Sequence, residues 1–310
     1  MRRRDVLGTM AGAAGAVLLR SGGLMAASGA MIARTMITRP IPSSGEAMPV
    51  IGLGTWQVFD TGPGDPSRRN LAEVLRALAD AGGRMIDTSP MYGRAEAATG
   101  DLVAEAGLRP RVFLATKLWT SGREAGIAQM RRSAELLQRP VLDLIQIHNL
   151  LDWRTHLATL RRMKEEGRVR YIGLTHYTTG SLPELARLLE TEKGIDFVQC
   201  GYSLDTRDAE SRLPPVAAER GVAVIVNQPF ETGGMFRRVR GRELPDWAAE
   251  FDCASWAQLF LKYLIADPAV TCAIPATGKP EHMADNLKAG IGRLPDAAMR
   301  ERIRRFWETL

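Results

Sequence analysis

The stretch RMIDTSPMYG, residues 84–93, places a carboxylate and a phenol around the end of a short apolar strand. Residues 84–86 read as a buried strand, Asp87 stands where it ends, and Tyr92 follows on the loop. A carboxylate at a strand end and a phenol on the next loop can face one pocket. Because the ordinary pKa of a phenol is about 10, Tyr92 needs a neighbouring cation to act as a proton donor near neutral pH.

The next two predicted strands supply that cation and a further polar group. They end at Lys117 and at His148. Asp87 can serve as the counter-ion of Lys117. Taken singly, these residues have ordinary structural roles, namely an ion pair within the fold, a packed histidine and a loop aromatic. Together, at successive strand ends, Asp87, Tyr92, Lys117 and His148 predict a catalytic group.

Eight units of a short apolar strand followed by an amphipathic helix recur along the chain. This order predicts an α/β fold, a (β/α)8 TIM barrel. The predicted strands cover residues 50–54, 84–87, 112–117, 142–148, 169–174, 196–200, 222–226 and 270–274. The predicted helices cover about 66–81, 95–106, 124–138, 153–166, 182–191, 208–220, 253–266, 280–290 and 296–309.

The alternative to the barrel is a doubly wound open sheet. That fold would place a glycine-rich phosphate turn between the first strand and a helix. The sequence GLGTW at 52–56 leads into a polar loop instead, so the dinucleotide fingerprint is not met.

The tetrad of Asp87, Tyr92, Lys117 and His148 resembles the catalytic tetrad of the aldo-keto reductase family. Further motifs of that family occur in order between about residue 49 and residue 286. They are GLGTW at 52–56, DTS at 87–89, YG at 92–93, TK at 116–117, DLIQIH at 143–148 and IP at 274–275. The resemblance implies an NAD(P)-dependent oxidoreductase that reduces a small-molecule carbonyl substrate, an aldehyde or a ketone, to an alcohol.

The resemblance also implies a role for each member of the tetrad. Tyr92 is the general acid, which gives a proton to the carbonyl oxygen as a hydride reaches the carbon. Lys117 stabilises the phenolate and lowers the phenol pKa, and Asp87 pairs with Lys117. His148 orients the carbonyl oxygen or relays the proton, and its neutral form suits this role.

Two other functions stay open at this point. One is a nicotinamide-binding barrel with little turnover, which serves as a redox-sensing or interaction module. The other is a lyase or isomerase on the same barrel, which would need Gly233-Gly234 to form a phosphate-binding loop.

The resemblance implies NADP(H) as the cofactor, with NAD(H) as the alternative. The residues at matching cofactor-binding positions are Thr55, Thr175, Gln199, Asn227, Thr277, Lys279, His282, Asp285 and Asn286. Relatives carry Ser-Asn where this chain has Thr175-His176, and an aromatic that stacks on the nicotinamide where it has Asn227. Gln199 matches a ligand of the nicotinamide carboxamide, with a buried glutamine bonded by the backbone as the alternative.

The motif that holds the adenosine phosphate departs from the family at two positions. Ala276 and His282 stand where many relatives carry Lys and Arg. Thr277, Lys279 and the N-terminus of the helix that follows can still hold a phosphate. A solvated loop lysine is the alternative for Lys279.

Three residues just beyond strand ends are candidate walls of a substrate pocket. These are Trp56, Trp119 and Asn149, which follow the first, third and fourth predicted strands. Packing explains Trp119 equally well. His156, on the fourth predicted helix, is predicted to face solvent.

The composition is that of a globular protein, with 310 residues, 45% of them hydrophobic and 25% charged. This length suits a single barrel of roughly 250 residues. Four arginines and one aspartate in the first thirty residues contribute +3 to the net charge of +6, so the basic balance does not indicate a nucleic-acid partner. Three sparse cysteines indicate neither a disulfide framework nor a metal site.

The N-terminus resembles a twin-arginine export signal. Arg3-Arg4 precede a mildly apolar run of small residues, which predicts a signal peptide at 1–30, a lead-in segment at 31–48 and the barrel at 49–310. A basic disordered start or an uncleaved anchor is the alternative. The apolar run is shorter than the about 20 residues that a transmembrane helix needs, so no stable membrane anchor is expected. The predicted partner is the twin-arginine machinery and the predicted location the periplasm, or the cytoplasm if the signal does not function.

Replacement of Arg3 and Arg4 by Lys is expected to leave the protein in the cytoplasm with its N-terminus uncut, because the paired arginines are the feature of the motif that the export machinery would read. Cell fractionation and N-terminal sequencing measure this, with Arg20→Lys as the control of equal chemistry. Unchanged export of the double variant would rule out this route.

Overall fold

The computed structural model describes residues 35–310. The predicted signal at 1–30 lies outside these residues. Among residues 35–310, no helix is both long enough and apolar enough to cross a membrane.

The described chain forms ten strands and ten α-helices. The strands are β1 (Thr38–Pro40), β2 (Ala47–Pro49), β3 (Leu53–Gly54), β4 (Met85–Asp87), β5 (Phe113–Leu118), β6 (Leu142–His148), β7 (Val169–His176), β8 (Phe197–Gly201), β9 (Ala223–Asn227) and β10 (Val270–Ala273). The helices are α1 (Arg68–Asp80), α2 (Ala95–Glu105), α3 (Arg123–Leu136), α4 (Trp153–Glu165), α5 (Leu182–Thr191), α6 (Leu213–Arg220), α7 (Gly234–Arg238), α8 (Trp256–Ile265), α9 (Pro280–Lys288) and α10 (Ala297–Glu308).

Strands β3 to β10 form a parallel barrel in chain order. Isolated parallel bridges from Ile51 to Ala273 and from Gly54 to Ala276 join the first barrel strand to the last. The predicted (β/α)8 barrel is therefore confirmed, and the doubly wound alternative is wrong. The strands are buried along almost their whole length, as parallel strands covered by helices must be.

A short hairpin closes the N-terminal end of the barrel. Strands β1 and β2 pair antiparallel, and all of their residues except Pro49 belong to the predicted lead-in segment. Ile41 and Met48 are fully buried in the apolar cluster at that end of the barrel. Arg39 donates to three carbonyl groups around the C-terminal end of α8, including that of Asp267 at 2.7 Å. The described part of the lead-in thus packs as part of the barrel.

The sixth helix is shorter than predicted. It begins at Leu213 and not at 208, and Pro214-Pro215 occupy its first turn. Proline lacks an amide hydrogen and is tolerated only where the amide needs no helical partner, so these two residues mark the start of the helix.

The connection after β9 lies at the opposite, C-terminal end of the barrel. It forms three short helical segments, Glu231–Gly233, α7 and Asp246–Phe251. Gln228 and Thr232, which line the pocket described below, have positive φ angles of 52° and 49°. Non-glycine residues adopt this conformation rarely, and often at functional sites.

Candidate active site

A pocket of about 690 Å³ opens at the C-terminal ends of the barrel strands. Its lining includes Asp87, Tyr92 and His148, so three members of the predicted tetrad share one cavity. Lys117 is 1% exposed and lies beneath them, against Asp87.

Aromatic side chains form much of the pocket wall. Trp56, Trp119, Tyr177 and Phe236 line it and are between 36% and 48% exposed. Asn149 also lines the pocket. The three predicted wall residues therefore face one cavity, whereas Tyr177 and Phe236 were not predicted, because both lie in loop or short helical segments whose direction the sequence does not reveal.

Asp87 and Lys117 form a buried ion pair. Lys117 Nζ lies 2.5 Å from Asp87 Oδ2 and also donates to the carbonyl oxygen of Thr88 at 2.9 Å. Burial, the largest single effect, would lower the pKa of Lys117, but the charges and hydrogen bonds of Asp87 and Tyr92 together outweigh it, so the net pKa is raised. Lys117 is therefore a fixed positive charge below the pocket floor.

Tyr92 lies against that charge. The Nζ atom of Lys117 is 4.8 Å from the centroid of the Tyr92 ring. Burial raises the pKa of Tyr92, Lys117 lowers it and Asp87 raises it, with a net rise. Lys117 therefore lowers the pKa of Tyr92 as expected, but desolvation of the phenolate outweighs the ammonium and the net pKa is raised. Tyr92 is consequently a protonated phenol at neutral pH, as a proton donor must be.

His148 is a neutral imidazole. Burial lowers its pKa to about 3, and the nearby charge of Lys117 adds to this shift. Its ring lies 6.3 Å from that of Tyr177, at an interplanar angle of 21°. Among the described residues, His148 Nδ1 has no hydrogen-bond partner.

Two amides hold the second oxygen of Asp87. Gln146 and Gln199 donate from Nε2 to Asp87 Oδ1 at 2.8 and 2.9 Å. Gln146 was not identified from the sequence. Gly173 faces it across the β6–β7 pair, where a Cβ would lie 2.9 Å from Gln146 Cγ, so the glycine makes room for the amide.

The predicted carboxamide ligands are bonded to one another. Gln199 Oε1 accepts from Thr175 Oγ1 at 3.1 Å and from Asn227 Nδ2 at 3.0 Å. With Nε2 also donating to Gln146 Oε1 at 3.0 Å, all hydrogen-bonding positions of the Gln199 amide are filled by side chains. The alternative in which the backbone satisfies Gln199 is therefore wrong.

Thr55 supports the floor of the site. Its hydroxyl and its backbone amide both donate to the carbonyl oxygen of Asp87 at 3.0 Å, and the residue lines the pocket. Thr55 thus fixes the end of β4 as well as contributing surface.

The predicted phosphate residues gather at the start of α9. Lys279 and His282 are exposed, and Thr277 Oγ1 accepts from the Lys279 amide at 3.1 Å. Asn286 is buried, and Asp285 accepts from Ser255 and Gln258, each at 2.6 Å, which ties α9 to the start of α8. The roles of these residues toward a ligand stay predictions.

The prediction that His156 faces solvent is wrong. It is fully buried, and its Nε2 lies 2.6 Å from the carbonyl oxygen of Thr120. Gly126 of α3 makes this packing possible, since a Cβ there would lie 2.7 Å from His156 Cε1. His156 thereby supports the loop that follows Trp119.

Known proteins resemble this chain over most of its length. The model of the aldo/keto reductase family matches residues 50–307. An aldo-keto reductase of Mycolicibacterium smegmatis is 30% identical over 255 residues, covering 79% of this chain and 85% of that protein. The methylglyoxal reductase YeaE of Escherichia coli is 27% identical over 259 residues, covering 81% and 89%. A Klebsiella pneumoniae aldo-keto reductase, solved in complex with NADPH, is 27% identical, with a TM-score of 0.74 and coverage of 88% and 96%.

The lowered pKa of His148 makes stability depend on pH. Between its ordinary pKa of about 6.5 and about 3, the unfolded chain binds a proton at His148 and the folded chain does not. The free energy of unfolding therefore decreases as pH falls through this range. We expect His148→Gln to become more stable relative to wild type by about 1.4 kcal/mol between pH 7.5 and pH 5.5. Urea unfolding at the two pH values measures this. Parallel pH dependence of both proteins would contradict a neutral His148.

Proposed function

Because the chain belongs to the aldo-keto reductase family, we propose that it reduces an aldehyde or ketone to the alcohol with NADP(H), with Tyr92 as the general acid. The position of Tyr92 carries this proposal. Its ring lies 4.8 Å from the ammonium of Lys117, which is itself paired with Asp87 below the pocket.

The pocket has polar atoms that fit a nicotinamide nucleotide. Buried Asn149 Oδ1 and Asn227 Oδ1 lack a hydrogen-bond partner within the described part of the chain. The Klebsiella pneumoniae relative with 27% identity was solved in complex with NADPH. Thr277, Lys279 and the N-terminus of α9 are the residues proposed to hold the adenosine phosphate. When bound, NADPH supplies the hydride that reaches the carbonyl carbon.

Tyr92 supplies the proton. Its raised pKa keeps the phenol protonated until charge develops on the carbonyl oxygen, and the phenol then donates to that oxygen. Lys117 stabilises the phenolate that remains, and Asp87 keeps Lys117 charged and in place. The neutral ring of His148 can donate a hydrogen bond to the same oxygen and so orient the carbonyl.

The place of action is proposed from the N-terminal sequence. The twin-arginine motif at Arg3-Arg4 supports export to the periplasm, and that route carries folded proteins. An enzyme that binds its nucleotide before it crosses the membrane suits such a route.

Tyr92→Phe is expected to lower turnover of a carbonyl substrate by about two to four orders of magnitude, because the ring is kept and the proton donor is lost. Affinity for NADP(H) is expected to stay near that of wild type. Steady-state NADPH oxidation with simple aldehydes and ketones, together with a nucleotide titration, measures both.

Tyr263→Phe, which removes a buried phenol hydroxyl on α8, is the control and is expected to keep turnover. Near-normal turnover of Tyr92→Phe would remove Tyr92 from its role, whereas binding of NADP(H) without turnover of any carbonyl by wild type would favour the redox-sensing module.

Ala276→Lys is expected to strengthen NADP(H) binding by about tenfold or more and to leave NAD(H) binding nearly unchanged. The reason is one new charge-assisted bond to the 2′-phosphate, which NAD(H) lacks. Ala276 is exposed next to Thr277, so the added side chain has room. Quenching of tryptophan fluorescence by both nucleotides measures this, with Ala298→Lys on the exposed side of α10 as a control for net charge. Equal changes for both nucleotides would place the phosphate elsewhere.

A further inference from the structure

Asp87 fixes the direction of a row of side-chain hydrogen bonds. An ionised carboxylate can only accept, so each group bonded to Asp87 Oδ1 must present an N–H. These groups are the Nε2 atoms of Gln146 and Gln199. Since an amide nitrogen and oxygen lie on opposite branches, Gln199 Oε1 must point away from Asp87.

The second link of the row joins Gln199 to Asn227. Gln199 Oε1 accepts, so Asn227 must turn its donating Nδ2 toward it, and the two atoms lie 3.0 Å apart. Asn227 Oδ1 is then left on the other branch. The charge on Asp87 therefore makes the last atom of the row an acceptor.

That last atom has no donor of its own. Asn227 Oδ1 is buried, and nothing among residues 35–310 donates to it. Asn227 ends β9 and lines the pocket beside Gln199. A buried acceptor without a donor is unfavourable, so a ligand that brings an N–H or O–H to it gains a bond and removes that penalty.

A glycine lies beside Asn227 on the neighbouring strand. Gly201 pairs with Asn227 in the β8–β9 register. A Cβ at Gly201 would lie 2.7 Å from the carbonyl oxygen of Tyr177 and 3.6 Å from Asn227 Oδ1. A side chain here would clash with the Tyr177 carbonyl, so the close packing of the chain beside Asn227 requires glycine.

We propose that Asn227 Oδ1 accepts a hydrogen bond from the carboxamide NH2 of the nicotinamide nucleotide, a contact that rests on the proposed function. Thr175 donates its hydroxyl to Gln199, and both N–H groups of Gln199 are donated within the row. Asn227 offers an acceptor that costs no existing bond. The residue that stands in place of the stacking aromatic thus recognises the cofactor by a hydrogen bond.

The test compares NADP+ with its 3-acetylpyridine analogue, in which a methyl group replaces the NH2 of the carboxamide. Isothermal titration calorimetry gives the dissociation constants of both for wild type, Asn227→Leu and Asn227→Ala, after thermal unfolding shows that each is folded. Wild type is expected to bind NADP+ at least about fivefold more tightly than the analogue. Both variants are expected to bring this ratio close to one, and comparing ratios cancels any general effect of a variant on nucleotide binding.

Two further variants distinguish the acceptor of Asn227 from that of Asn149 and from a general effect of losing an asparagine. Asn149→Gly removes the other unpartnered amide oxygen of the described pocket lining, at a backbone φ of 54° that glycine adopts readily. Asn70→Leu, at an exposed position of α1, is the matched control. Both are expected to keep the wild-type ratio.

Three results would overturn the proposal: a ratio near one in wild type, an unchanged ratio in both Asn227 variants, or a ratio that is lost in Asn149→Gly alone. In each case NADP+ still binds, so the proposed function stands. If wild type binds neither nucleotide, the proposed function fails and the contact fails with it.

Discussion

The buried carboxylate of Asp87 is the constraint on which the site depends. A charge removed from water is costly unless it is paired and hydrogen-bonded. Asp87 is 3% exposed, and its two oxygens accept from the ammonium of Lys117 and from the amides of Gln146 and Gln199. These donors lie on β5, β6 and β8, so four strands must keep their relative positions for the carboxylate to keep its partners. The register of the barrel strands therefore also determines the arrangement of the site.

The polar site lies at the C-terminal end of the barrel, and an apolar cluster fills the N-terminal end. At the N-terminal end, the rings of Phe113 and Tyr171 lie 5.7 Å apart in a cluster that the hairpin covers. Side chains on one face of a strand recur at every second residue, so a single strand serves both ends. Strand β6 gives Leu144 to the apolar cluster, and Gln146 and His148 to the polar end.

The same alternation explains how much the sequence could reveal. Apolar runs define where a strand ends, so the barrel and the strand-end positions of Lys117 and His148 could be predicted from local pattern. Gln146 lies two residues before His148 on the same face, but its partner Asp87 is distant in the sequence, and one sequence does not reveal such a contact. The hairpin strands have three residues each, too few to show a period. His156 was misread because its burial depends on Gly126 of another helix.

The opposing effects on Tyr92 fit a residue that is an acid first and a phenolate afterwards. If Lys117 lowered the pKa of Tyr92 below neutral pH, Tyr92 would be ionised at the outset and would have no proton to give. If burial acted alone, the phenolate left after transfer would be strongly unfavourable. Tyr92 has the burial and the cation together, with the burial stronger. Lys117 stays charged because of Asp87, and the same carboxylate orients the amides that end at Asn227. One buried charge therefore acts both on Tyr92, the proposed proton donor, and on the unpartnered oxygen of Asn227.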